Sequence, residues 1–409
     1  MATTASSRAA PGAASRTEFA ASPVESDAGA SRSAAGPAAR TAAGERSPFA
    51  RTADLLAPYQ PEQSLINLSL GEPRHPPPDF VGPILSRHID EFRRYPMARG
   101  IDPETEILAL NGSREGLFYA AVAAARYVAP RKGAPAILMP NPFYPAYGAG
   151  ARAAHCETVL LPATRDNGFL PDLDALDEAT LARTVAIYLA SPANPQGAVA
   201  SRDYLALLIA LARRHGFLVF SDECYSEIYT QEAPGSALEC AGPDFASVVA
   251  FQSLSKRSNL PGLRVGFVAG DRNFLDAFHE LRNVAAPQVP VPLQHVGAAA
   301  YGDEAHVEEN RRLYRLKFDL ADQIIGARYG YARPAGGFCL WLDVSAYGGD
   351  EAATIKLYRE AGLRVVPGSY LARPQADGLN PGAGYIRLAL VADIESTAEA
   401  LRRLVKTLG

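Results

Sequence analysis

Four short apolar segments follow one another through the middle of the chain, each bounded by turn residues. They read APAILM (134–139), TVAIYLA (184–190), GFLVFSD (216–222) and SVVAFQS (247–253). Continuous apolar runs of this length are typical of strands that are buried on both faces of a parallel sheet. The pattern therefore predicts the central strands of a mostly parallel sheet.

Helical periodicity appears before the first of these strands and between the second and the third. The segments REGLFYAAVAAARYV (114–128) and SRDYLALLIALARRHG (201–216) repeat apolar residues at helical spacing, and the second ends at a glycine, as helices often do. Strands that alternate with helices are typical of an α/β domain. We expect a large domain over residues 73–300, preceded by an N-terminal arm over 48–72.

The pattern changes after residue 300, where one long charged helix is followed by a mixture of strands and helices. This indicates a smaller α+β C-terminal domain over 301–409. The predicted elements are the helix VEENRRLYRLKFDLADQIIG, the strand GFCLWLDV, the helix ATIKLYREAG, the strands LRVVPG and YIRLALV, and the closing helix STAEALRRLVKTL.

Residues 1–47 differ from the rest because they are dominated by Ala, Ser, Gly and Arg, with Phe19 as their only aromatic residue. Such a segment buries too little apolar surface to offset its ordering entropy, so we predict a disordered tail. It lacks the apolar core of a secretory signal, and its four acidic residues argue against an organellar targeting peptide.

Composition narrows the range of partners. The 409 residues are 48% hydrophobic and 21% charged with a net charge of −4, which favours neither nucleic acid nor a membrane as partner. The four cysteines form no CxxC pair, as expected of reduced thiols in a cytoplasmic protein. The seven histidines are scattered along the sequence, so no metal site is predicted.

Polar residues follow three of the predicted strands at the point where each strand ends. Asn194 follows TVAIYLA, Asp222 closes GFLVFSD with Tyr225 about one turn later, and Lys256 follows SVVAFQS. Ligands of open α/β sheets bind at the carboxyl ends of the strands. We therefore expect these four side chains to meet in one site.

Phosphate-binding groups surround the lysine in the segment SLSKRSNLPGLRVG (253–266). Two hydroxyls and a guanidinium suit a phosphate, and a lysine between them suits a nucleophilic amine beside a phosphorylated cofactor. A predicted helix start at NGSR adds backbone N–H groups that point outward as an anion site. The candidate phosphate-binding residues are Gly112, Ser113, Arg114, Ser253, Ser255 and Arg264.

Pyridoxal 5′-phosphate (PLP) requires this combination of groups. It needs a lysine for its aldehyde, an anion beside its ring nitrogen, donors to its phenolic oxygen, an aromatic side chain on its ring face and a phosphate cup. Asp222 is the candidate for the ring nitrogen, and Tyr225 with Asn194 for the phenolic oxygen. Tyr144, in PNPFYPAY, is the aromatic candidate.

From about residue 48 to the C-terminus the chain resembles fold-type I, class I/II aminotransferases. Within that family, SDECYSEIY and SLSKRSNLPGLR most resemble the proteobacterial succinyldiaminopimelate aminotransferases of lysine biosynthesis. The motifs that carry the wider resemblance are SLGEP (69–73), YPMARG (95–100), NGSREGL (111–117), PNPFYPAY (140–147), SPANPQG (191–197), SDECYSEIY (221–229), SLSKRSNLPGLRVGF (253–267) and GYIRLAL (384–390).

The resemblance implies a role for individual residues. Lys256 matches the lysine that forms the Schiff base with the cofactor and then moves the substrate proton as general base. Arg387 matches the arginine that grips the substrate α-carboxylate, and Gly71 the glycine whose backbone lies near it. Tyr95 matches a tyrosine that reaches the phosphate in the neighbouring subunit, which implies a homodimer.

The sequence departs from the family pattern after Gly100. Related enzymes have a helix there, whereas YPMARG runs here directly into IDPETEILALNGSRE, so about a dozen residues of helix are absent. Two smaller departures are Gln196 in NPQG, where threonine is usual, and Ala193, where asparagine is common. The shortening puts the reach of Tyr95 in question.

The resulting hypothesis is a PLP-dependent aminotransferase that works by ping-pong transfer between glutamate/2-oxoglutarate and a second substrate. The narrower resemblance implies N-succinyl-LL-2,6-diaminopimelate as that substrate. Two alternatives remain open. One is an aspartate or aromatic aminotransferase, or a C–S lyase, of the same fold. The other is a catalytically silent relative, which the shortened segment would explain.

Overall fold

The computed structural model describes residues 46–100 and 106–409. The residues from Arg46 onward form one compact unit. The predicted tail, 1–47, lies outside the described residues except for its last two positions. Ser47 caps the first helix, because its side chain accepts a hydrogen bond from the backbone N–H of Ala50.

A seven-stranded sheet forms the centre of the molecule, with the strand order β2-β8-β7-β6-β5-β3-β4. The five strands from β7 to β4 run parallel, as the apolar segments predict, while β8 runs antiparallel to both of its neighbours. The strands are β2 (Ile107–Leu110), β3 (Ala136–Asn141), β4 (Glu157–Pro162), β5 (Thr184–Ala190), β6 (Leu218–Asp222), β7 (Val248–Ser253) and β8 (Gly266–Gly270).

Helices cover both faces of this sheet, and alternate residues of its strands face opposite sides. Ile137 and Met139 pack with α3, α4 and α9, while Leu138 packs with α6 on the other face. The helices between residues 113 and 302 are α3 (Ser113–Tyr127), α4 (Pro145–Ala153), α5 (Glu178–Arg183), α6 (Arg202–His215), α7 (Ala237–Cys240), α8 (Leu254–Arg257), α9 (Arg272–Ala285) and α10 (Val291–Gly302).

The predicted helices begin and end close to their sequence signals. Ser201 caps α6 by accepting a hydrogen bond from the backbone N–H of Tyr204. Gly216 ends the same helix in the left-handed conformation, with φ of 69°. A residue with a Cβ atom is disfavoured there, so the glycine sets the helix end.

Two smaller sheets lie in the C-terminal part and in the segment before α2. One is antiparallel with the order β11-β12-β9, and the other pairs β1 with β10 in parallel. Their strands are β1 (Ile66–Asn67), β9 (Cys339–Asp343), β10 (Leu363–Arg364), β11 (Val366–Pro367) and β12 (Tyr385–Ala389). The remaining helices are α1 (Pro48–Leu56), α2 (Val81–Arg87), α11 (Ala305–Ile325), α12 (Asp350–Ala361), α13 (Gly368–Leu371) and α14 (Ile394–Leu408).

The single strand predicted over LRVVPG is wrong. The segment forms two short strands, β10 and β11, which pair with different partners in different sheets. The chain turns from one sheet to the other at Val365, so no continuous ladder forms. The other predicted C-terminal elements are present, and α12 begins three residues before the predicted ATIKLYREAG.

Separate hydrophobic cores support these sheets. One core contains apolar side chains of β9, β12, α11, α12 and α14, whereas the main sheet has its own core on each face. The domain boundary at residue 300 stays a prediction. None of the helices in the described ranges combines the length and the apolar character that crossing a bilayer requires.

The segment after α2 is short. A 3-10 helix covers Ile89–Arg93, and residues 94–100 and 106, which link it to β2, contain no helix. Residues 101–105 lie outside the described ranges. The predicted departure from the family pattern begins there, so the shortened segment stays a prediction.

Candidate active site

The carboxyl edge of the main sheet gathers most of the candidate residues. Asp222 ends β6, Ser253 ends β7, and Asn194 lies four residues beyond the end of β5. Parallel pairing aligns these strand ends, with Ala190 of β5 opposite Asp222. The edge therefore collects polar side chains from strands that are far apart in sequence.

Lys256 lies in α8, the single helical turn that follows β7. Its Nζ donates a hydrogen bond to the backbone oxygen of Gly71 and lies 5.4 Å from the ring centre of Phe338. Burial lowers the pKa of Lys256 to about 8, and the charge of Arg387 acts in the same direction. A larger fraction of this amine is therefore neutral and nucleophilic near neutral pH than for an exposed lysine.

Asp222 is buried at the end of β6. Its Oδ2 accepts a hydrogen bond of 2.5 Å from the Tyr147 hydroxyl, and its Oδ1 accepts one of 3.2 Å from the backbone N–H of Cys224. Burial raises the pKa of Asp222, and the hydrogen bonds from Cys224 and Tyr147 counteract this effect. Donors thus support the charged form of a carboxylate that water does not reach freely.

Tyr144 lies at the start of α4, close to Asp222. Its hydroxyl accepts a hydrogen bond of 2.7 Å from Nε of Arg114, and its ring meets the ring of Tyr147 edge-on at 5.7 Å. Burial raises the pKa of Tyr144, while the Arg114 charge opposes the rise. Arg114, predicted as a phosphate-binding residue, is thereby connected to the predicted ring-face aromatic residue.

The candidate phosphate-binding residues of two segments converge beside Lys256. Gly112, with φ of 79°, precedes α3, and a Cβ atom at this position would overlap the guanidinium of Arg264. The Ser253 hydroxyl accepts from the backbone N–H of Ser255 at 3.2 Å and lies 3.1 Å from the Ser255 hydroxyl. Ser113 is the first residue of α3. A guanidinium, two hydroxyls and a helix N-terminus meet here, as a phosphate site requires.

Arg387 reaches the site from β12 and is 4% exposed. Its Nη2 donates a hydrogen bond of 2.6 Å to the backbone oxygen of Ser69, and its Nη1 one of 3.3 Å to Oδ1 of Asn194. Its Nε is buried without a hydrogen-bond partner. An unpaired buried donor on a fixed guanidinium is suited to a carboxylate ligand.

The space between Lys256 and Arg387 is lined by Gly71, Tyr225 and Phe338. A Cβ atom at Gly71 would lie 3.3 Å from the Phe338 ring and 3.8 Å from the Tyr225 hydroxyl. The rings of Tyr225 and Phe338 meet edge-on at 5.2 Å. Burial raises the pKa of Tyr225 well above its usual value, so the hydroxyl keeps its proton and can donate it in a hydrogen bond.

Tyr95 is the one predicted site residue that these contacts do not reach. Its side chain is fully exposed, two residues after the 3-10 helix Ile89–Arg93. The predicted role of Tyr95 concerns a neighbouring subunit, so its exposure leaves that prediction in place.

Sequence reasoning missed three residues of the site. Tyr147 donates to Asp222, Phe338 packs against Lys256, and Ser69 accepts from Arg387. Tyr147 and Ser69 lie within motifs already singled out, PNPFYPAY and SLGEP, so the motif was the available signal. Phe338 lies in GFCLWLDV, whose pattern indicates only a strand, and no local signal marks it.

The groups present fit PLP. An amine, a buried carboxylate, a tyrosine hydroxyl and a cationic anion site occupy one edge of the sheet, each within the chemistry that the cofactor requires. The glycine at position 112 leaves room for Arg264, and Arg387 retains a buried donor for a substrate.

Comparison with known proteins agrees with this chemistry. Residues 85–408 match the family described as aminotransferase class I and II. An LL-diaminopimelate aminotransferase of Syntrophobacter fumaroxidans is 31% identical over 84% of this chain and 91% of its own length.

Two solved structures extend the comparison. An aminotransferase from Neisseria meningitidis is 34% identical with a TM-score of 0.83, over 90% of this chain and 98% of its own. A probable N-succinyldiaminopimelate aminotransferase from Thermus thermophilus is 26% identical with a TM-score of 0.76, over 88% and 100%. The chain belongs to the class I and II aminotransferases and is a fold-type I, PLP-dependent transaminase.

Proposed function

We propose that this aminotransferase binds its amino-acid substrate between Lys256 and Arg387. One observation carries the proposal. Nζ of Lys256 donates to the backbone oxygen of Gly71, and Nη2 of Arg387 donates to that of Ser69, two residues earlier. Two residues of chain span at most about 7 Å. An α-amino acid whose carboxylate binds the guanidinium can therefore present its α-carbon to the lysine.

Other residues of the site would each hold a different part of the cofactor. When bound, PLP supplies an electron sink for the electrons that a substrate C–H bond releases. Asp222 would hold the ring nitrogen in its protonated form, and Tyr225 with Asn194 would donate to the phenolic oxygen. Lys256, with a pKa of about 8, is suited to take the α-proton and return it. Tyr144 would cover the ring.

The phosphate would bind the cup beside α8. Ser253, Ser255 and Arg264 offer two hydroxyls and a guanidinium, and residues 112–114 add the N-terminus of α3. A fixed cup of this kind orients the cofactor before the substrate arrives.

For the reaction we propose transfer between glutamate/2-oxoglutarate and a 2,6-diaminopimelate, in its N-succinyl-LL form. The sequence resemblance of SDECYSEIY and SLSKRSNLPGLR supports the succinylated substrate. The diaminopimelate class is also supported by the names of the curated relatives and of the Thermus thermophilus structure. These relatives are named LL-diaminopimelate aminotransferases, so the unsuccinylated compound is the direct competitor.

We further propose a homodimer. The segment around Tyr95 exposes apolar side chains, which is typical of a surface that another protein covers. A second subunit on this surface would allow Tyr95 to reach the neighbouring phosphate cup. The large hydrophobic side chains of this segment that are half or more exposed are Ile89, Phe92, Tyr95 and Met97.

The half-reaction is tested with the purified chain, PLP and glutamate. We expect a visible absorbance band of the bound cofactor that bleaches when glutamate is added, and no such band in Lys256→Ala. A band that glutamate and related amino acids leave unchanged would contradict transamination. Absence of the band would favour the catalytically silent alternative.

The substrate is tested by kcat/KM with 2-oxoglutarate as amino acceptor. N-succinyl-LL-diaminopimelate should exceed LL-diaminopimelate, aspartate and aromatic amino acids as donor. A preference for LL-diaminopimelate would support a diaminopimelate substrate and contradict the N-succinyl form. Release of pyruvate and ammonia from a cysteine conjugate, without glutamate formation, would instead identify a C–S lyase. Gel filtration against mass standards tests the dimer.

A further inference from the structure

Two histidines and a glutamate meet on the side of the molecule that carries Tyr95. Nδ1 of His88 lies 2.7 Å from Oε1 of Glu91, and Nε2 of His295 lies 3.3 Å from Oε2 of the same carboxylate. The donor atoms of the three side chains all lie within 4.8 Å of one another. No sequence pattern indicates this cluster, because 204 positions separate Glu91 from His295.

These donors form a recognised ligand set. Two imidazoles and one carboxylate bind zinc in proteins, with a fourth position left for water or another ligand. Ligand atoms around a tetrahedral zinc ion lie about 3.4 Å apart, given metal–ligand distances near 2.1 Å. The separations of 2.7 and 3.3 Å are those of hydrogen bonds and lie within about 0.7 Å of that value.

Binding of one ion to both histidines requires a change in the orientation of their rings. The two imidazole rings stack at 3.7 Å with 19° between their planes. The nitrogen lone pairs of the two rings therefore lie in nearly parallel planes. One ring must turn for both lone pairs to point at one ion. The side chains of His88, Glu91 and His295 are 21%, 31% and 29% exposed, which leaves room for that turn and for a water ligand.

The three residues come from separate elements. His88 directly follows α2 as its C-cap, Glu91 lies in the following 3-10 helix, and His295 lies in the first half of α10. An ion bound to all three would fasten the segment that leads to Tyr95 onto α10. It would therefore restrain the segment that precedes the departure from the aminotransferase pattern after Gly100.

We propose that His88, Glu91 and His295 bind a divalent transition-metal cation of the zinc type. The ion is structural, because Lys256 and Arg387 hold the proposed reaction centre with other contacts. Its effect is to restrain residues 81–100 against α10. Neither the aminotransferase family nor the proposed substrate requires this site.

Zinc binding is tested on untagged, PLP-loaded protein. After equilibrium dialysis against zinc and removal of free ion, we expect about one zinc ion per chain. His88→Gln, Glu91→Gln and His295→Gln should each weaken zinc affinity about tenfold or more, since each removes one of three ligands. Zinc should slow amide hydrogen exchange over residues 81–93 in the wild type and not in these variants.

His306→Gln is the matched control. His306 pairs with Asp303 at 2.6 Å, three residues away, as His88 pairs with Glu91, but it belongs to no three-ligand cluster among the described residues. The His306→Gln variant should bind zinc with the affinity of the wild type. Far-ultraviolet circular dichroism identifies any variant that fails to fold. If a variant fails to fold, the effect of zinc on hydrogen exchange in the wild type still tests the proposal. Wild type that retains no zinc, or zinc that leaves exchange over 81–93 unchanged, would overturn the proposal.

Discussion

The Tyr147 hydroxyl donates a hydrogen bond of 2.5 Å to Oδ2 of Asp222 in the interior of the molecule. The Tyr147 ring is fixed, because it stacks on the Tyr188 ring at 4.3 Å with 4° between their planes. Burial raises the pKa of Asp222, and the bond from Tyr147 acts against that rise. Tyr147 is therefore a positioning residue that favours the charged carboxylate.

Tyr147→Phe keeps the stacked ring and removes only the hydroxyl. A hydrogen bond to a charged group contributes about 1.5–3 kcal/mol, so we expect PLP affinity to fall about 10-fold or more. The acid limb of the kcat profile should move to higher pH, because the pKa of Asp222 rises further. Equilibrium binding of PLP and a pH series of kcat measure both effects.

Tyr144→Phe is the control for that prediction. The Tyr144 hydroxyl pairs with Arg114 and not with Asp222, so its loss should leave the acid limb in place. Equal displacement of the acid limb in both variants would show that Tyr147 has no specific effect on Asp222.

Lys256 should react with PLP at a lower pH than an ordinary lysine. Burial brings its pKa down to about 8 from 10.5, so the neutral amine becomes the major form above pH 8. The rate at which the cofactor band develops in apoenzyme should rise with pH and level off above about pH 8. Stopped-flow absorbance measures this rate, and a rate that still increases about tenfold per pH unit above about pH 9 would contradict the lowered pKa.

Local patterns predicted the strand ends well, because each depends on a few neighbouring residues. Asp222, Lys256 and Asn194 lie where their apolar strands indicated, at one edge of the sheet. Parallel pairing then brings strand ends together without further information from the sequence. The α/β architecture with a mostly parallel sheet followed from the alternation of strands and helices, whereas fold-type I was implied by the resemblance of the motifs to a known family.

Contacts between distant segments could not be predicted in this way. Tyr147 and Asp222 are 75 positions apart, and the pairing of their side chains depends on how α4 packs against the sheet. LRVVPG has the composition of one strand, yet its two halves pair with different sheets. Neither result is encoded in a periodicity of two or 3.6 residues.

Arg387→Lys tests recognition of the substrate carboxylate. The variant keeps the charge but loses the planar fork that donates to Ser69 and Asn194 and leaves Nε for the ligand. We expect kcat/KM for amino acids to fall about 10- to 100-fold, from the loss of about 1.5–3 kcal/mol in a charge-assisted bond.

An amine that lacks a carboxylate provides the comparison for Arg387→Lys. Its slow half-reaction, followed as single-turnover bleaching of the cofactor band, should change little in the variant. A loss of equal size with both compounds would mean that Arg387 supports the site as a whole and does not select the carboxylate.

Lys317 is a buried lysine outside the proposed reaction centre. Its Nζ donates to the backbone oxygen of Leu390 at 3.1 Å and lies 2.7 Å from Nε2 of His75. Nδ1 of His75 lies 2.8 Å from Oδ1 of Asn310, whose Nδ2 donates to the backbone oxygen of Lys256 at 3.0 Å. A chain of hydrogen bonds thus joins Lys317 to the turn that carries Lys256.

Burial lowers the pKa of Lys317 to about 8 from 10.5. At pH values between these two, the unfolded state binds more protons at Lys317 than the folded state, so Lys317 contributes an increase with pH to the free energy of unfolding. Urea unfolding of the PLP-loaded proteins should show this contribution as a gain of up to about 3 kcal/mol by the wild type relative to Lys317→Met between about pH 8 and 10.5. Lys356→Met, at an exposed position of α12, should keep the pH dependence of the wild type. If the wild type and Lys317→Met had the same dependence on pH, Lys317 would have to titrate as it does in the unfolded chain.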